Sequence, residues 1–199
     1  MKSFAVTFDY RCPFARNAHE HLAVALDDGA DWDVTFLPFS LSQVHVPEGG
    51  TPVWDDPSKT ADLLALAAGV VVRDEYPDRF LAAHLALFAA RHDEGLDLRD
   101  ADVVARVLDG AGVPGDKVVA EVGTSAPVHE VRRAHELAVK EWAVFGVPTF
   151  VVEGRAVFVR IMSRPQGDAT LARRTVDGLL DLFGTMPDLN EFKSTTLSR

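Results

Sequence analysis

The beginning of the chain carries a strand–helix–strand pattern, which limits it to folds that contain a parallel strand pair. Alternating apolar residues over 3–9 predict a β-strand. Pro13 suits the first turn of a helix, where its missing N–H has no intrahelical partner, and apolar residues spaced by four extend this helix over 14–27. A second strand is predicted over 32–39. Because consecutive strands joined by a helix pair in parallel, the fold class is α/β.

The middle of the chain predicts helices without strands. Residues 43–58 are rich in proline, glycine and aspartate and are predicted to form a loop. Apolar periodicity then predicts helices over 59–72, 75–92, 100–111, 115–123 and 126–144. The remaining pattern predicts strands over 149–152 and 156–161 around a tight turn at Glu153 and Gly154, and a closing amphipathic helix over 168–184.

This order, βαβ, then helices, then ββα, predicts one α/β domain that is interrupted by a helical insertion. The α/β domain is expected to comprise residues 1–42 and 143–185, and the all-helical insertion residues 58–142. Residues 186–199 are polar and are predicted to form a loosely held tail.

Charge and cysteine content restrict the function classes. With 20 Lys and Arg against 30 Asp and Glu, the net charge of −10 disfavours binding to nucleic acid and to anionic membranes. No apolar run reaches the length of a membrane span, and the first residues lack the pattern of a signal peptide, so a cytoplasmic location is expected. A single cysteine excludes an intramolecular disulfide, although a transient bond to another molecule stays open.

That cysteine, Cys12, falls between the first strand and the first helix. Unpaired N–H groups and the positive end of the helix dipole favour a thiolate there, and the flanking Arg11 and Arg16 are expected to act in the same direction. We therefore predict a lowered thiol pKa and a nucleophilic role. The alternative is a buried cysteine that acts as a small apolar side chain.

Two motifs resemble the DsbA branch of the thioredoxin-like superfamily. The first is Cys12-Pro13-Phe14-Ala15 at the start of the helix, and the second is Gly146-Val147-Pro148-Thr149 before the third strand. The resemblance covers almost the whole chain and implies a thioredoxin-like fold with an all-helical insertion. It also implies a cis peptide bond before Pro148, in a loop that lies against the active cysteine. The tail FGTMPDLNEFKSTTL is similar to that of cytosolic actinobacterial members that use mycothiol.

One position departs from the family pattern, because Ala15 stands where the family has its second, resolving cysteine. A dithiol enzyme needs that cysteine to release its mixed disulfide. The resemblance therefore implies a monothiol oxidoreductase, with mycothiol or glutathione as co-substrate and no tightly bound cofactor. Two alternatives remain open. One is a thiol transferase or isomerase similar to the kappa-class glutathione transferases and 2-hydroxychromene-2-carboxylate isomerases. The other is a redox-inactive binding protein.

The predicted site combines the two motifs with the end of the first strand. Cys12 is the expected nucleophile, and the expected substrate-binding residues are Tyr10, Pro13, Phe14, Ala15, Val147, Pro148 and Thr149. Tyr10 could instead complete the core. His19 and His21 are expected in packing or solvent-facing roles, and Arg160 and Arg164 could meet a carboxylate or lie on a solvated face. No histidine and carboxylate spacing indicates a metal site. The expected partners are a small thiol and a disulfide or electrophilic substrate, and the resemblance adds a homodimer.

Overall fold

The computed structural model describes residues 1–191, 193, 194 and 196. Its four-stranded sheet has the order β2-β1-β3-β4 and consists of Lys2–Phe8 (β1), Trp32–Pro38 (β2), Thr149–Val152 (β3) and Arg155–Phe158 (β4). β1 pairs in parallel with β2, whereas β3 is antiparallel to both β1 and β4. The predicted thioredoxin-like α/β fold is confirmed.

Helices cover this sheet and form the insertion between its two halves. Pro13–Asp27 (α1) joins β1 to β2 and packs against Ala169–Thr185 (α8) at the end of the chain. Between β2 and β3 lie Leu41–Val44 (α2), Thr60–Glu75 (α3), Phe80–His92 (α4), Ala101–Gly110 (α5), Gly115–Val122 (α6) and Ala126–Trp142 (α7). Within the described residues, no helix has the length and apolar character that crossing a bilayer requires.

The core forms where the predicted apolar faces meet. Phe4, Val6 and Phe8 of β1 are buried, and Phe4 packs on Phe150 of β3 with ring centroids 6.0 Å apart. On α1, Ala18 and Leu22 are fully buried, as their spacing by four predicts. Burial of these large side chains supplies the main driving force that fixes β1 and α1, and with them the junction at Cys12.

Several predicted boundaries were wrong for local reasons. The helix predicted over 75–92 is interrupted, because α3 continues to Glu75 and Pro77 opens a short 3-10 turn before α4. The predicted loop over 43–58 begins inside α2, which the Ser40 side chain caps by accepting from the N–H of Gln43. β4 ends at Phe158 rather than at 161. The predicted tail over 186–199 falls partly outside the described residues.

Candidate functional site

Cys12 occupies the N-cap position of α1. Its backbone is extended, with φ −96° and ψ 117°, and its Sγ accepts a hydrogen bond from the N–H of Ala15 at 3.4 Å. On its other side, the thiol donates to the backbone carbonyl of Val147 at 3.2 Å. The residue is only 8% exposed. The thiol therefore lies between the first turn of α1 and the second predicted motif.

This environment raises the pKa of Cys12. Burial is the main cause, because it disfavours the charged thiolate, and the nearby carboxylate of Asp9 acts in the same direction. The N–H groups of Ala15 and Phe14 lower the pKa, as a helix N-terminus should, but burial outweighs them. The hydrogen bond to Val147 also favours the protonated form, because only a thiol can donate it. The predicted lowering of the pKa was therefore wrong for the protein without a bound substrate.

The two flanking arginines are engaged elsewhere. The Arg11 guanidinium donates to Ser42, and that of Arg16 forms an ion pair with Asp93 on the surface. The arginine whose charge lowers the pKa of Cys12 is Arg160, which follows β4. The prediction that Arg11 and Arg16 stabilise the thiolate is thus corrected, because neighbours in sequence at a strand–helix junction point in different directions.

The second motif, Gly146-Val147-Pro148-Thr149, forms a loop that hydrogen bonds hold against Cys12. The Val147–Pro148 peptide bond is cis. The pairing of β1 with β3 stops at Val6 and Phe150, and beyond it the Thr7 hydroxyl accepts from the N–H of Thr149 at 2.9 Å. The Thr149 hydroxyl donates to the carbonyl of Gly146 at 2.7 Å. These bonds fix the loop that carries the Val147 carbonyl.

Behind the thiol lies a buried hydrogen-bonded chain, which we call the inner chain: the side chains of Tyr10, His84 and His19 and the backbone carbonyl of Thr7. Tyr10 Oη lies 2.9 Å from His84 Nδ1, His84 Nε2 lies 2.9 Å from His19 Nδ1, and His19 Nε2 lies 3.2 Å from the carbonyl of Thr7. All four residues are at most 1% exposed. The inner chain thus connects Tyr10, two residues before Cys12, to Thr7 of β1, whose hydroxyl holds Thr149.

The direction of every hydrogen bond in the inner chain follows from its last acceptor. The Thr7 carbonyl can only accept, so His19 Nε2 donates. Burial lowers the pKa of His19 to about 4 and that of His84 well below its ordinary value, so both rings are neutral near pH 7. Each ring then has one donor and one acceptor, which requires His84 Nε2 to donate to His19 and the Tyr10 hydroxyl to donate to His84.

This geometry corrects the predicted role of Tyr10. Its hydroxyl is occupied by His84 and its ring is packed against Phe8 and Phe88. A Cβ added at Gly69 of α3 would lie 2.5 Å from Tyr10 Oη, so the helix backbone closes off the ring. Tyr10 thus completes the core and does not present its hydroxyl to a substrate. His19 has the predicted packing role, whereas sequence reasoning gave no role to its partner His84.

Asp9 connects the Cys12 loop to the segment after β2. Its carboxylate accepts from the N–H of Arg11 at 2.9 Å and from the N–H of Leu41 at 2.8 Å. Burial raises the pKa of Asp9, while these two bonds act in the opposite direction. A cavity of about 310 Å³ opens beside it, between the Cys12 loop and the insertion. Charges of both signs line this cavity, namely Asp9, Arg11, Asp62, Arg91, Asp97 and Arg99, but Cys12 does not.

On the other side of Cys12 lies a group that we call the outer patch, which consists of the exposed Arg160 and Phe145 and the half-buried Phe14 and Phe158. The Arg160 guanidinium carbon lies 5.3 Å from the ring centroid of Phe14 and 5.6 Å from that of Phe158. Phe145 is 67% exposed, and its ring centroid is 5.1 Å from that of Phe158. Phe14 itself is half-buried rather than freely exposed. Sequence reasoning had raised Arg160 but missed Phe145 and Phe158.

The structure thus brings most of the predicted site together around one sulfur. Val147 and Ala15 touch Cys12 directly, and Pro148 and Thr149 lie buried behind the Val147 carbonyl. Pro13 is exposed at the start of α1. Within the described residues, no group of three or more His, Cys, Asp or Glu side chains is placed to hold a metal ion. The arrangement is a single thiol at a helix start, facing a cis-proline loop of a thioredoxin-like fold.

Comparison with known proteins defines the family. A model of the DSBA-like thioredoxin domain matches residues 5–162, and the chain therefore belongs to this family. A search of curated proteins finds no match.

Solved structures show the same fold at low sequence identity. Pseudomonas aeruginosa DsbA is 22% identical, with a TM-score of 0.57, over 92% of this chain and 86% of that one. The cytosolic disulfide reductase DsbM from Pseudomonas aeruginosa, solved with GSH, is 16% identical, with a TM-score of 0.60, over 90% and 100%. A 2-hydroxychromene-2-carboxylate isomerase is 17% identical, with a TM-score of 0.61, over 94% and 100%. At these identities the likenesses establish the shared fold.

Proposed function

We propose that this protein is a cytoplasmic thiol–disulfide oxidoreductase that works through one thiol, with mycothiol or glutathione as co-substrate. The observation that supports it is the contact between the only cysteine, Cys12, and the carbonyl of Val147 in the cis-proline loop. Ala15 occupies the position of the family's resolving cysteine, and its N–H points at the Cys12 sulfur instead. The chain thus offers one attacking sulfur and no second one.

The proposed reaction has two exchange steps. The Cys12 thiolate attacks the small-thiol sulfur of a mixed disulfide, which forms a bond between Cys12 and the small thiol and releases the substrate as a thiolate. A second small-thiol thiolate then attacks the small thiol held on Cys12. This step releases a small-thiol disulfide and restores the Cys12 thiolate. In the net reaction, the substrate is released as a thiol and one free small thiol is consumed, because it forms the small-thiol disulfide with the small thiol that the substrate carried.

The carbonyl of Val147 couples substrate binding to activation of the thiol. In the free protein, Cys12 donates to this carbonyl and stays protonated. An N–H group of an extended substrate would compete for the same acceptor, as in other cases where a peptide backbone pairs with an exposed carbonyl. Cys12 would then keep the N–H groups of α1 and lose the partner that favours its protonated form. The thiolate should therefore form when the substrate is in place.

A second function is favoured by the raised pKa of Cys12. A buried thiol that stays protonated can donate a hydrogen bond to the sulfur of a bound small thiol, and no covalent bond to the protein is then needed. This arrangement would suit a transferase or isomerase that uses glutathione or a similar thiol. It requires that the small thiol binds reversibly and that Cys12 never carries it.

Mass spectrometry of the intact protein separates these functions. We expect the wild-type chain, incubated with glutathione disulfide or mycothiol disulfide, to gain one small-thiol moiety and to lose it on addition of the free thiol. Cys12→Ser should gain none, and Ala15→Cys should convert the adduct into an intramolecular disulfide. Reversible binding without an adduct would support the transferase or isomerase. The absence of both adduct and binding would reject both enzymes in favour of a redox-inactive binding protein.

A further inference from the structure

The chain is anchored on both sides of Arg160. Just before it, the N–H of Val159 donates to the carbonyl of Pro148 at 3.1 Å. Just after it, the carbonyl of Ile161 accepts from the Asn17 side chain at 2.9 Å. One anchor belongs to the cis-proline loop and the other to α1, the two elements that enclose Cys12. Arg160 is therefore held in a fixed place relative to the thiol, although its side chain is exposed.

Two aromatic rings orient the Arg160 side chain. Its guanidinium lies over Phe14, two residues after Cys12, and over Phe158 at the end of β4. Such contacts hold a cation without using its N–H donors, which remain free to bind an anion. The Arg160 guanidinium is thus pre-oriented next to Phe14, close enough for its charge to act on the Cys12 thiol.

Arg160 differs from neighbouring arginines in lacking an acidic partner. Arg164 pairs with Glu20 and Asp93, and Arg16 pairs with Asp93 as well. In the part of the chain that the structure describes, no carboxylate lies within ion-pair distance of Arg160. An unpaired arginine on a protein with a net charge of −10, placed beside a nucleophile, is arranged to receive an anion from outside the chain.

We propose that Arg160, held between Phe14 and Phe158, binds a carboxylate of the disulfide substrate and so selects carboxylate-bearing disulfides for reaction at Cys12. This inference rests on the proposed oxidoreductase function and assigns the substrate chemistry of that same site. Of the two proposed co-substrates it favours glutathione, because mycothiol has no carboxylate. The guanidinium offers paired N–H donors that match the two oxygens of a carboxylate. The exposed ring of Phe145 extends the outer patch and provides apolar contact for the rest of the substrate.

Two chromogenic disulfides test this assignment. Dithiobis(nitrobenzoate) and dithiodipyridine are both aromatic and activated, but only the first carries carboxylates. We would measure their single-turnover rates with wild-type protein, Arg160→Gln, Arg160→Lys and the control Arg164→Gln. Arg164→Gln removes the same charge from the same segment, at a position where Glu20 and Asp93 already neutralise it.

The result is the ratio of the single-turnover rates with the two disulfides, since any change in the thiolate population of Cys12 affects both rates alike. Arg160→Gln should slow the carboxylate-bearing disulfide roughly tenfold more than the neutral one. The wild-type rate with the carboxylate-bearing disulfide should fall with added salt, and that dependence should weaken in Arg160→Gln. Arg160→Lys should recover part of the loss, and Arg164→Gln should leave the ratio within about twofold. An unchanged ratio in Arg160→Gln would overturn the assignment.

A binding measurement decides the inference even if Cys12 does not react. S-methylglutathione carries two carboxylates and cannot form a disulfide, so its affinity for Cys12→Ser protein reports binding alone. We expect Cys12→Ser/Arg160→Gln to bind it roughly tenfold more weakly than Cys12→Ser. Equal affinities, or no binding to either, would reject carboxylate recognition by Arg160. An unreactive wild-type thiol with intact S-methylglutathione binding would reject only the oxidoreductase function.

Discussion

The two sides of Cys12 are built in opposite ways. On the inner side, Tyr10, His84, His19 and Thr7 are buried, and each polar group in their chain has one partner at hydrogen-bond distance. On the outer side, Arg160 is exposed and is held by rings rather than by hydrogen-bonding groups. The hydrogen-bonding groups of the inner chain are thus satisfied within the protein, whereas the N–H donors of Arg160 in the outer patch remain free.

This difference separates two requirements of a thiol site. A buried polar chain with fixed donors and acceptors tolerates only one arrangement, so it positions the backbone on which Cys12 and the Thr149 loop depend. An exposed cation on aromatic rings adds little to stability and can accept an external ligand. We therefore expect changes in the inner chain to alter folding stability, and changes in the outer patch to alter reactivity and selectivity.

The largest expected effect comes from His84→Leu. The substitution removes the middle of the inner chain and leaves the Tyr10 hydroxyl and His19 Nδ1 buried without a partner. Each unsatisfied group costs about 1–3 kcal/mol, so the free energy of unfolding should fall by about 2–6 kcal/mol. Urea unfolding followed by circular dichroism measures this. The outer-patch control Arg160→Gln should change it by no more than about 0.5 kcal/mol. Equal losses in the two variants would contradict the comparison.

A smaller loss of folding stability is expected when the pH is lowered, again through the inner chain. Burial holds the pKa of His19 at about 4, below its unfolded value of about 6.5, so the folded state binds fewer protons. This contribution to stability is complete above about pH 6.5 and is lost as the pH falls toward 4. From pH 7 to 5.5 His19 alone should cost about 1 kcal/mol. His84 and His135 add in the same direction, because burial lowers their pKa values too.

Asp9 opposes this trend, because burial raises its pKa and the folded state then gains a proton more readily as the pH falls. The histidine contribution is isolated by comparing unfolding free energies of wild type, His84→Leu and Arg160→Gln at several pH values. The slope of the unfolding free energy against pH should be shallower in His84→Leu, which lacks one buried imidazole, and unchanged in Arg160→Gln. A wild-type stability that is flat or rising between pH 7 and 5.5 would contradict the assignment of neutral buried rings.

Periodicity and local stereochemistry predicted most of the fold. Alternation in β1, the spacing by four in α1 and Pro13 at its first turn are short-range signals, and all of them placed Cys12 at a helix start. The resemblance to a known family added the Val147–Pro148 loop opposite Cys12. Boundaries were harder, because they depend on contacts between distant positions: the N–H of Val159, just past the end of β4, donates to the Pro148 carbonyl, eleven residues earlier.

The electrostatics of the site could not be predicted in the same way. Arg11 and Arg16 are close to Cys12 in sequence, yet the arginine that acts on its sulfur lies beyond a helical insertion and a hairpin. Tyr10 and His84 are 74 residues apart, so no local pattern reveals their hydrogen bond. The direction of the Cys12 pKa depends on how completely the cis-proline loop covers the thiol, which is a property of packing between distant segments.

The smallest and most specific effect concerns the thiol itself, because its two charged neighbours act with opposite sign. The Asp9 carboxylate disfavours the Cys12 thiolate and the Arg160 guanidinium favours it. Arg160→Gln should therefore raise the pKa of Cys12, and Asp9→Asn should lower it. The midpoint of iodoacetamide alkylation against pH, followed by mass, measures both shifts.

Asp9→Asn also turns an amide NH2 toward one of the two backbone N–H groups that the carboxylate accepts, so it should lower stability as well. Alkylation must accordingly be measured well below the unfolding temperature of each variant, with Arg164→Gln as the charge control. If the Asp9 and Arg160 variants moved the alkylation midpoint in the same direction, local distortion rather than charge would control the thiol. Opposite movements, together with an unchanged midpoint in Arg164→Gln, would show that Cys12 senses a buried anion on its inner side and an exposed cation on its outer side.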